Sequence, residues 1–495
     1  MSTQLRASRW PQSGAMVGVF LLAAVGLAGC GGGGEDSTVG YVTPPSGDPT
    51  PIVINSPAQI AQVSADNYDD NVNGLITGTT LKRWIDNWEV NRPAGITGRL
   101  IILQVNNGPA GSEYITPNPA GGVLTYSVPS SRLTMSRSNG VTTTRSMVPD
   151  GAAMDDFLSD YGIDPTRDML VCAMGDGSAG AAMSMGRCWY MLRYWGVAKE
   201  HVAQLNGGAA DAGAGVMLGY VGPTATCDEN TMLADPPAAD CLPHSGYVSV
   251  RNLPDDNTAM QATLGDMIDV VDGRASAFVW DARNEAQYLG TTPIGATCTS
   301  GSFQNCNSRA GHPNGALLLE FTEMVDSIGR YKSKDVLRQY LNGELPAGAT
   351  SQFKTDVGGA VATVGAGNAY QAGQTVITYC ETTFRAMLTG TVTGMILGIP
   401  TRFYDGAMVE WNSMSSIQDK YNSFILPSDS PWRTDLPTRS VFTYNTNQSL
   451  IDPRDIDDPY YDESNANAII LADKEYKLGS TSSTGGGLPS NPCGG

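Results

Sequence analysis

Histidine is nearly absent from this chain of 495 residues: only His201, His244 and His312 occur, scattered along it. That scarcity argues against a zinc site built on histidine. No Cys-x-x-Cys-His occurs, which excludes covalently attached c-type haem. Long apolar runs are lacking as well. One uncharged apolar run, Gly14 to Gly29, falls short of the roughly 20 residues that a spanning helix needs, and no later run is long enough. Basic residues are few: 30 Lys and Arg against 49 Asp and Glu give a net charge of −19. So acidic a chain argues against nucleic acid or anionic lipid as a partner, and for solubility outside the cell.

The amino terminus does carry a secretory signal. Arg6 and Arg9 precede the apolar run, which closes on Leu27-Ala28-Gly29-Cys30: a basic start, an apolar core and small residues at the cut. Leu-Ala-Gly-Cys resembles a bacterial lipobox, implying that residues 1–29 are removed and that Cys30 carries lipid. A plain signal peptide with an incidental cysteine is the alternative. Gly31 in place of an acid implies, by the same resemblance, the outer membrane. The expected location is therefore the cell envelope, with a lipid anchor as the only membrane attachment. Losing residues 1–29 removes two arginines and no acids, so −19 becomes −21.

Residues 30–51, rich in Gly, Ser, Pro and Thr, are expected to be a flexible tether. Nine cysteines in an exported chain suggest disulfides. Cys227 and Cys241 bracket one loop and Cys298 and Cys306 another, so local bridges are the simplest arrangement there. Cys172 and Cys188 could pair but sit on different predicted elements, and Cys493 is the candidate left over.

From Leu75 the pattern alternates strand and helix, which predicts parallel sheets covered on both faces. Leu81 to Trp88 has helical spacing and Arg99 to Val105 reads as a buried strand. A Gly/Pro/Ser-rich excursion follows to about Pro149. Helices are expected over Met154–Tyr161 and Ala181–Trp195, and strands over Asp168–Met174 and Val202–Leu205. Gly175-Asp176-Gly177-Ser178-Ala179-Gly180 matches G-x-G-x-x-G, yet the next strand ends Leu205-Asn206-Gly207-Gly208 without the acid that a dinucleotide's ribose requires. No cofactor is therefore expected.

The stretch with the most chemistry is Val376-Ile377-Thr378-Tyr379-Cys380-Glu381-Thr382-Thr383-Phe384-Arg385-Ala386. A β-rich run ends on a cysteine, and four residues later an arginine opens an apolar segment, Ala386 to Ile396. A strand–loop–helix unit would place the thiol at the carboxyl edge of a sheet, where ligands bind in open α/β folds. The helix terminus would favour thiolate over thiol, and Arg385 would offer a cationic fork to an oxyanion. The bland alternative is a small buried, inert cysteine.

Tyr-Cys, four residues, then Arg-Ala resembles the active-site loop of rhodaneses, which are sulfurtransferases. Asp281-Ala282-Arg283-Asn284-Glu285-Ala286-Gln287-Tyr288-Leu289-Gly290 is similar to their Asp-x-Arg…Tyr-x-Gly signature. Gly311-His312-Pro313-Asn314-Gly315-Ala316 is similar to their Gly-His-x-x-Gly-Ala turn, and Asp405-Gly406 to Trp411 to their closing segment. Tyr190 through Gly208 resembles the end of a first such domain, with Met174-Gly175-Asp176 where a nucleophile would stand. Cys172, inside the strand, reads as packed or disulfide-bonded.

The resemblance implies two tandem rhodanese-like α/β domains, each a parallel sheet with helices on both faces. They span residues 52–208, without a nucleophile, and 247–427, with Cys380, joined by a linker at 209–246. Residues 428–495 form an acidic, Pro/Gly-rich tail. Its run Asp452 to Glu463 lacks the spacing and central glycine of an EF-hand, so no metal is expected. Ala466 to Leu471 suggests one short strand.

By the same resemblance Cys380 and Arg385 are catalytic, and Glu381, Thr382, Thr383 and Phe384 bind substrate. Arg283, His312 and Trp411 support the site, Arg283 by pairing with a carboxylate and His312 by ordering its turn. The implied partners are a small sulfur-containing anion or polysulfide as donor and a thiol or cyanide-like acceptor, with an exported redox protein also in view.

Two departures stand out. Thr383 occupies a position that is usually glycine, and threonine resists left-handed backbone angles, so a narrower or differently shaped cradle is expected. Glu381 puts a negative charge beside the thiol, and Gln287 stands where some thiosulfate enzymes have a cation. Two other classes stay open beside the sulfurtransferase reading. One is a non-catalytic lipoprotein that holds sulfur or selenium species or docks beside redox proteins. The other is a phosphatase-like Cys-x4-Arg loop, which is one residue short of embracing a phosphate.

Overall fold

A computed structural model of the chain describes residues 51–108, 113–139, 143–209, 218–221, 247–290, 311–415 and 468–478. The signal segment with Cys30, the tether, Cys227, Cys241, Cys298, Cys306, Cys493 and the acidic run Asp452 to Glu463 lie outside the described residues.

In the first half, β1 (Gly74–Ile76) leads into α1 (Gly78–Asp86), followed by β2 (Leu100–Gln104) and β3 (Val123–Ser127). A two-stranded hairpin comes next, β4 (Met135–Ser138) and β5 (Thr143–Met147), then α2 (Gly151–Asp160), β6 (Met169–Ala173), α3 (Ala179–Tyr194) and β7 (Val202–Leu205). The five parallel strands run in the order β1-β7-β6-β2-β3. β2, Leu-Ile-Ile-Leu-Gln, and β6, Met-Leu-Val-Cys-Ala, are buried along their whole length, as parallel strands sheathed by helices are. Asp150 caps α2 through the Ala153 amide (2.9 Å) and Ser178 caps α3 through Ala181 (3.0 Å).

The second half holds β8 (Gln261–Ala262), α4 (Leu264–Val271), β9 (Phe278–Asp281), α5 (Glu285–Leu289), β10 (Leu317–Leu318), α6 (Lys334–Leu341), β11 (Lys354–Val357), β12 (Ala360–Thr363), β13 (Val376–Tyr379), α7 (Ala386–Thr391), β14 (Thr401–Tyr404) and α8 (Ala407–Ser415). Its sheet runs β8-β14-β13-β9-β10-β11-β12. The first five strands are parallel, while β11 and β12 add an antiparallel hairpin at one edge. Gly358 and Gly359, both with positive φ (65° and 91°), make its tight turn. The two-sheet α/β architecture expected from the sequence is the one the chain adopts.

One hydrophobic core joins the sheets, with Leu103 and Tyr190 of the first half packed in the same cluster as Trp280, Val376 and Phe403 of the second. The helix contact between α3 and α7 depends on Gly186, where an added Cβ would lie 2.7 Å from the Cβ of Met387. Past Thr391 the helix widens into a π-helical turn, Val392–Ile396. There the Thr393 hydroxyl bonds the Thr389 carbonyl (3.2 Å), a back-bond that competes with regular helix geometry.

Cys172 on β6 and Cys188 on α3 form a disulfide. Two glycines of the Gly175–Gly180 run serve the chain's own backbone: a Cβ at Gly177 would meet the Ile328 carbonyl oxygen at 2.3 Å, and one at Gly175 the Gly108 amide at 2.3 Å.

The strand expected between Ala466 and Leu471 is instead the start of helix α9 (Ala468–Leu478). Its buried positions are Ile469, Asp473 and Lys477, four residues apart. Two of the three are charged, which hides the helical period from a hydrophobicity reading. Asp473 pairs with Arg137 (2.6 Å) and accepts from the Tyr194 hydroxyl (2.5 Å). The Lys477 ammonium donates to the carbonyls of Trp195 (3.1 Å), Leu253 and Asp255.

Candidate active site

Cys380 stands at the carboxyl end of β13, a fully buried strand between β9 and β14. The loop that follows runs over residues 381–385 into α7. Two amides at the start of α8 hold it from behind: Met408 N–H donates to the Cys380 carbonyl (3.2 Å) and Val409 N–H to that of Glu381 (3.3 Å). Ala282, Ala386 and Phe321 pack against Cys380, which is only 1% exposed.

Thr383 does adopt the left-handed conformation, with φ at 65°. Its buried hydroxyl is directed at the carbonyls of Tyr404 (2.8 Å) and Asp405 (3.1 Å). These bonds offset a strain of about 1–3 kcal/mol, so the backbone bends where a glycine would bend it. Among the described residues, the other non-glycine residues with positive φ are Ser146 (62°) and Ala407 (54°). All three surround one buried ion pair. Asp405 and Arg187, both fully buried, pair directly. Arg187 also donates to the Ser146 carbonyl (2.9 Å), and the Val148 amide donates to Asp405 (2.6 Å). The Arg187 guanidinium lies 5.9 Å from the centre of the half-buried Phe384 ring. Thus α3 and β5 of the first half brace the loop of the second.

At the rim, Arg385 donates to the Gln287 side-chain oxygen (2.6 Å) and faces Glu381 at 3.4 Å. Glu381 also faces Arg145 of β5 at 3.7 Å, and Thr382 lies half-buried beside it. Burial pushes the Glu320 carboxyl up, with Arg385 opposing. Glu320 also lines a cavity of about 240 Å³ together with Glu285, Thr322, Glu323 and Lys354. A larger cavity of about 610 Å³ lies at the strand ends of the first sheet, lined by Asp66, Asp69, Asn206 and Arg330 among others. No cysteine lines it.

Beneath the loop, Arg283 and Asp281 are both fully buried and paired (2.6 Å), and Asp281 accepts from the Tyr379 hydroxyl (2.7 Å). Arg283 also donates to the Gly311 carbonyl. His312 places Nδ1 2.8 Å from the Tyr288 carbonyl and stacks on the Tyr288 ring at 3.7 Å, and burial pulls its pKa down. Both residues shape the strand-end turns. Trp411 lies deeper, in the core cluster with Ile377, Tyr379 and Tyr404. Glu410 is buried beside the loop and accepts from Asn139 of the hairpin (2.5 Å).

Arg145, Arg187, Asn139 and Phe321 have no counterpart among the residues singled out in the sequence. The β-branched pair Thr143-Thr144 is a weak signal for β5, inside a stretch that composition marks as an irregular excursion.

No family model and no curated protein matches the chain. Solved structures do. The Tum1 protein from Saccharomyces cerevisiae shares 15% identity over 69% of this chain and 95% of its own, with a TM-score of 0.45. The anaerobic ergothioneine biosynthesis enzyme from Chlorobium limicola shares 13% over 69% and 68%, at 0.44. SseA from Escherichia coli, a 3-mercaptopyruvate sulfotransferase with the rhodanese fold, shares 17% over 66% and 97%, at 0.38.

Proposed function

We propose that the chain is a sulfurtransferase that carries a sulfane sulfur as a persulfide on Cys380. The observation that carries this reading is the loop itself: a cysteine at a parallel strand's end, a left-handed bend at Thr383 and an arginine closing the turn onto a helix. In the first step the Cys380 thiolate attacks the outer sulfur of thiosulfate or a polysulfide. The donor's S–S bond breaks, and sulfite or a shorter polysulfide leaves with the bonding pair while Arg385 balances its charge. In the second step a thiolate or cyanide attacks the outer sulfur of the persulfide, and Cys380 thiolate is regenerated. The amino-terminal motif supports lipid attachment at Cys30 and an outer-membrane site, which would set the enzyme beside exported redox proteins. Turnover of thiosulfate with cyanide or a small thiol, wild type beside Cys380→Ser, tests the reading. Undiminished turnover by the variant overturns it.

A second reading has its own support. Cys380 is nearly inaccessible and Arg385 is already engaged by Gln287 and Glu381, which suits a protein that holds sulfur without passing it on. A persulfide that forms and never transfers would select that reading.

A further inference from the structure

Arg385 has little to offer an anion as it stands. One terminal nitrogen is committed to Gln287 at 2.6 Å, and the other faces Glu381 at 3.4 Å. The longer contact is the easier one to open. Opening it, however, would leave the Glu381 carboxylate beside an incoming anion, a like-charge approach that opposes binding. A second cation is already in reach, because the other Glu381 oxygen lies 3.7 Å from Arg145. Glu381 is largely shielded at 16% side-chain exposure, so its choice of partner is screened less than that of a surface pair.

The backbone around Arg145 is held in place by its neighbours in and beside β5. The Ser146 carbonyl is bonded by Arg187, the Val148 amide is bonded to Asp405, and Asn139 on the other side of the hairpin is bonded to Glu410. Arg187 is itself anchored on Asp405. The hairpin backbone therefore holds Arg145 beside the mouth of the loop, and its guanidinium reaches Glu381 there.

We propose that Arg145, from the first half, is a positioning residue that draws the Glu381 carboxylate off Arg385 and so frees that guanidinium for an anionic sulfur donor. This rests on the sulfurtransferase reading for its substrate, and it deepens that reading by giving the hairpin a role in donor selectivity. Arg145 acts through Glu381 and does not itself touch the reacting sulfur. Neutral reagents should be indifferent to the exchange.

The experiment measures alkylation of Cys380 in the full-length, detergent-solubilised protein by anionic iodoacetate and neutral iodoacetamide, in wild type, Arg145→Ala, Arg145→Lys, Glu381→Gln and the double variant Arg145→Ala/Glu381→Gln. The ratio of the two rates reports anion selectivity whether or not sulfur is ever transferred. Arg145→Ala should lower the ratio about five-fold, the upper range for a partly exposed pair, Arg145→Lys should retain most of it, and Glu381→Gln should raise it. In the Glu381→Gln background the loss of Arg145 should change the ratio by less than about two-fold, the non-additivity expected of coupled neighbours. Equal effects of Arg145→Ala in both backgrounds, or no effect in either, overturn the inference.

Thiosulfate loading supplies the parallel readout. Arg145→Ala should raise the half-saturating donor concentration while the limiting rate stays within about two-fold. A fall in limiting rate at unchanged half-saturation overturns the positioning role. Absence of sulfur on every variant, wild type included, would sink the sulfurtransferase reading alone, and the alkylation ratios would still decide the Arg145 exchange.

Discussion

Thr383 is the residue where backbone strain and hydrogen bonding oppose each other most directly. Left-handed backbone disfavours a β-branched residue by roughly 1–2 kcal/mol, and φ here is 65°. The hydroxyl's bonds to the Tyr404 and Asp405 carbonyls work the other way. Leaving buried polar groups unpaired costs about 1–3 kcal/mol, and the buried methyl adds about 0.8 kcal/mol. Thr383→Val keeps the strain and loses the hydroxyl, so it should destabilise the protein by about 2 kcal/mol. Thr383→Ser keeps the hydroxyl and should stay within about 1 kcal/mol of wild type. Thr383→Gly should fall between them, because relief of strain offsets part of the lost bonding. Urea midpoints read by tryptophan fluorescence, at unchanged m-value, give the three differences. A valine variant as stable as wild type, or a serine variant as weak as valine, would refute the view that the hydroxyl holds the bend.

Two other perturbations test how the halves are joined. Arg187→Met leaves Asp405 buried without its cation and should cost about 3–5 kcal/mol. Adding Asp405→Asn should recover at least half of that loss, and a double variant no more stable than the single one would contradict the pairing. Burial, reinforced by the Asp405 charge, pushes the Glu410 carboxyl from 4.5 to about 7. The folded state then binds the proton more tightly than the unfolded state does. The stability that Glu410 contributes is fully present below pH 4.5 and is lost as pH rises towards 7, on the order of 3 kcal/mol. Glu410→Gln should flatten that window in a series of denaturation midpoints against pH; an unchanged slope would place the titration elsewhere.

The elements built on continuous apolar runs were readable without coordinates. β2, β6, β7 and β13 all fall where buried-strand patterns place them, because parallel strands covered on both faces write their burial into every residue. The loop after β13 was located by Cys380 and Arg385 together. The β4–β5 hairpin was not, since Thr, Ser and Gly dominate it and it is held by Arg187, Asp405 and Glu410 from distant parts of the chain. Arg145 went unseen with it. Helix α9 was misread as a strand because charged side chains, Asp473 and Lys477, anchor it. Thr383 shows the same limit from another side: threonine's backbone preference argued against the bend, and two carbonyls contributed by the segment at Tyr404 and Asp405 reversed the outcome.

The most direct measurement is the intact mass of the full-length protein, mildly reduced and then incubated with thiosulfate or polysulfide, wild type beside Cys380→Ser. A gain of one sulfur, about 32 Da, on wild type alone is the predicted result and places the persulfide on Cys380. No gain with either donor, or an equal gain on the serine variant, would contradict a Cys380 persulfide.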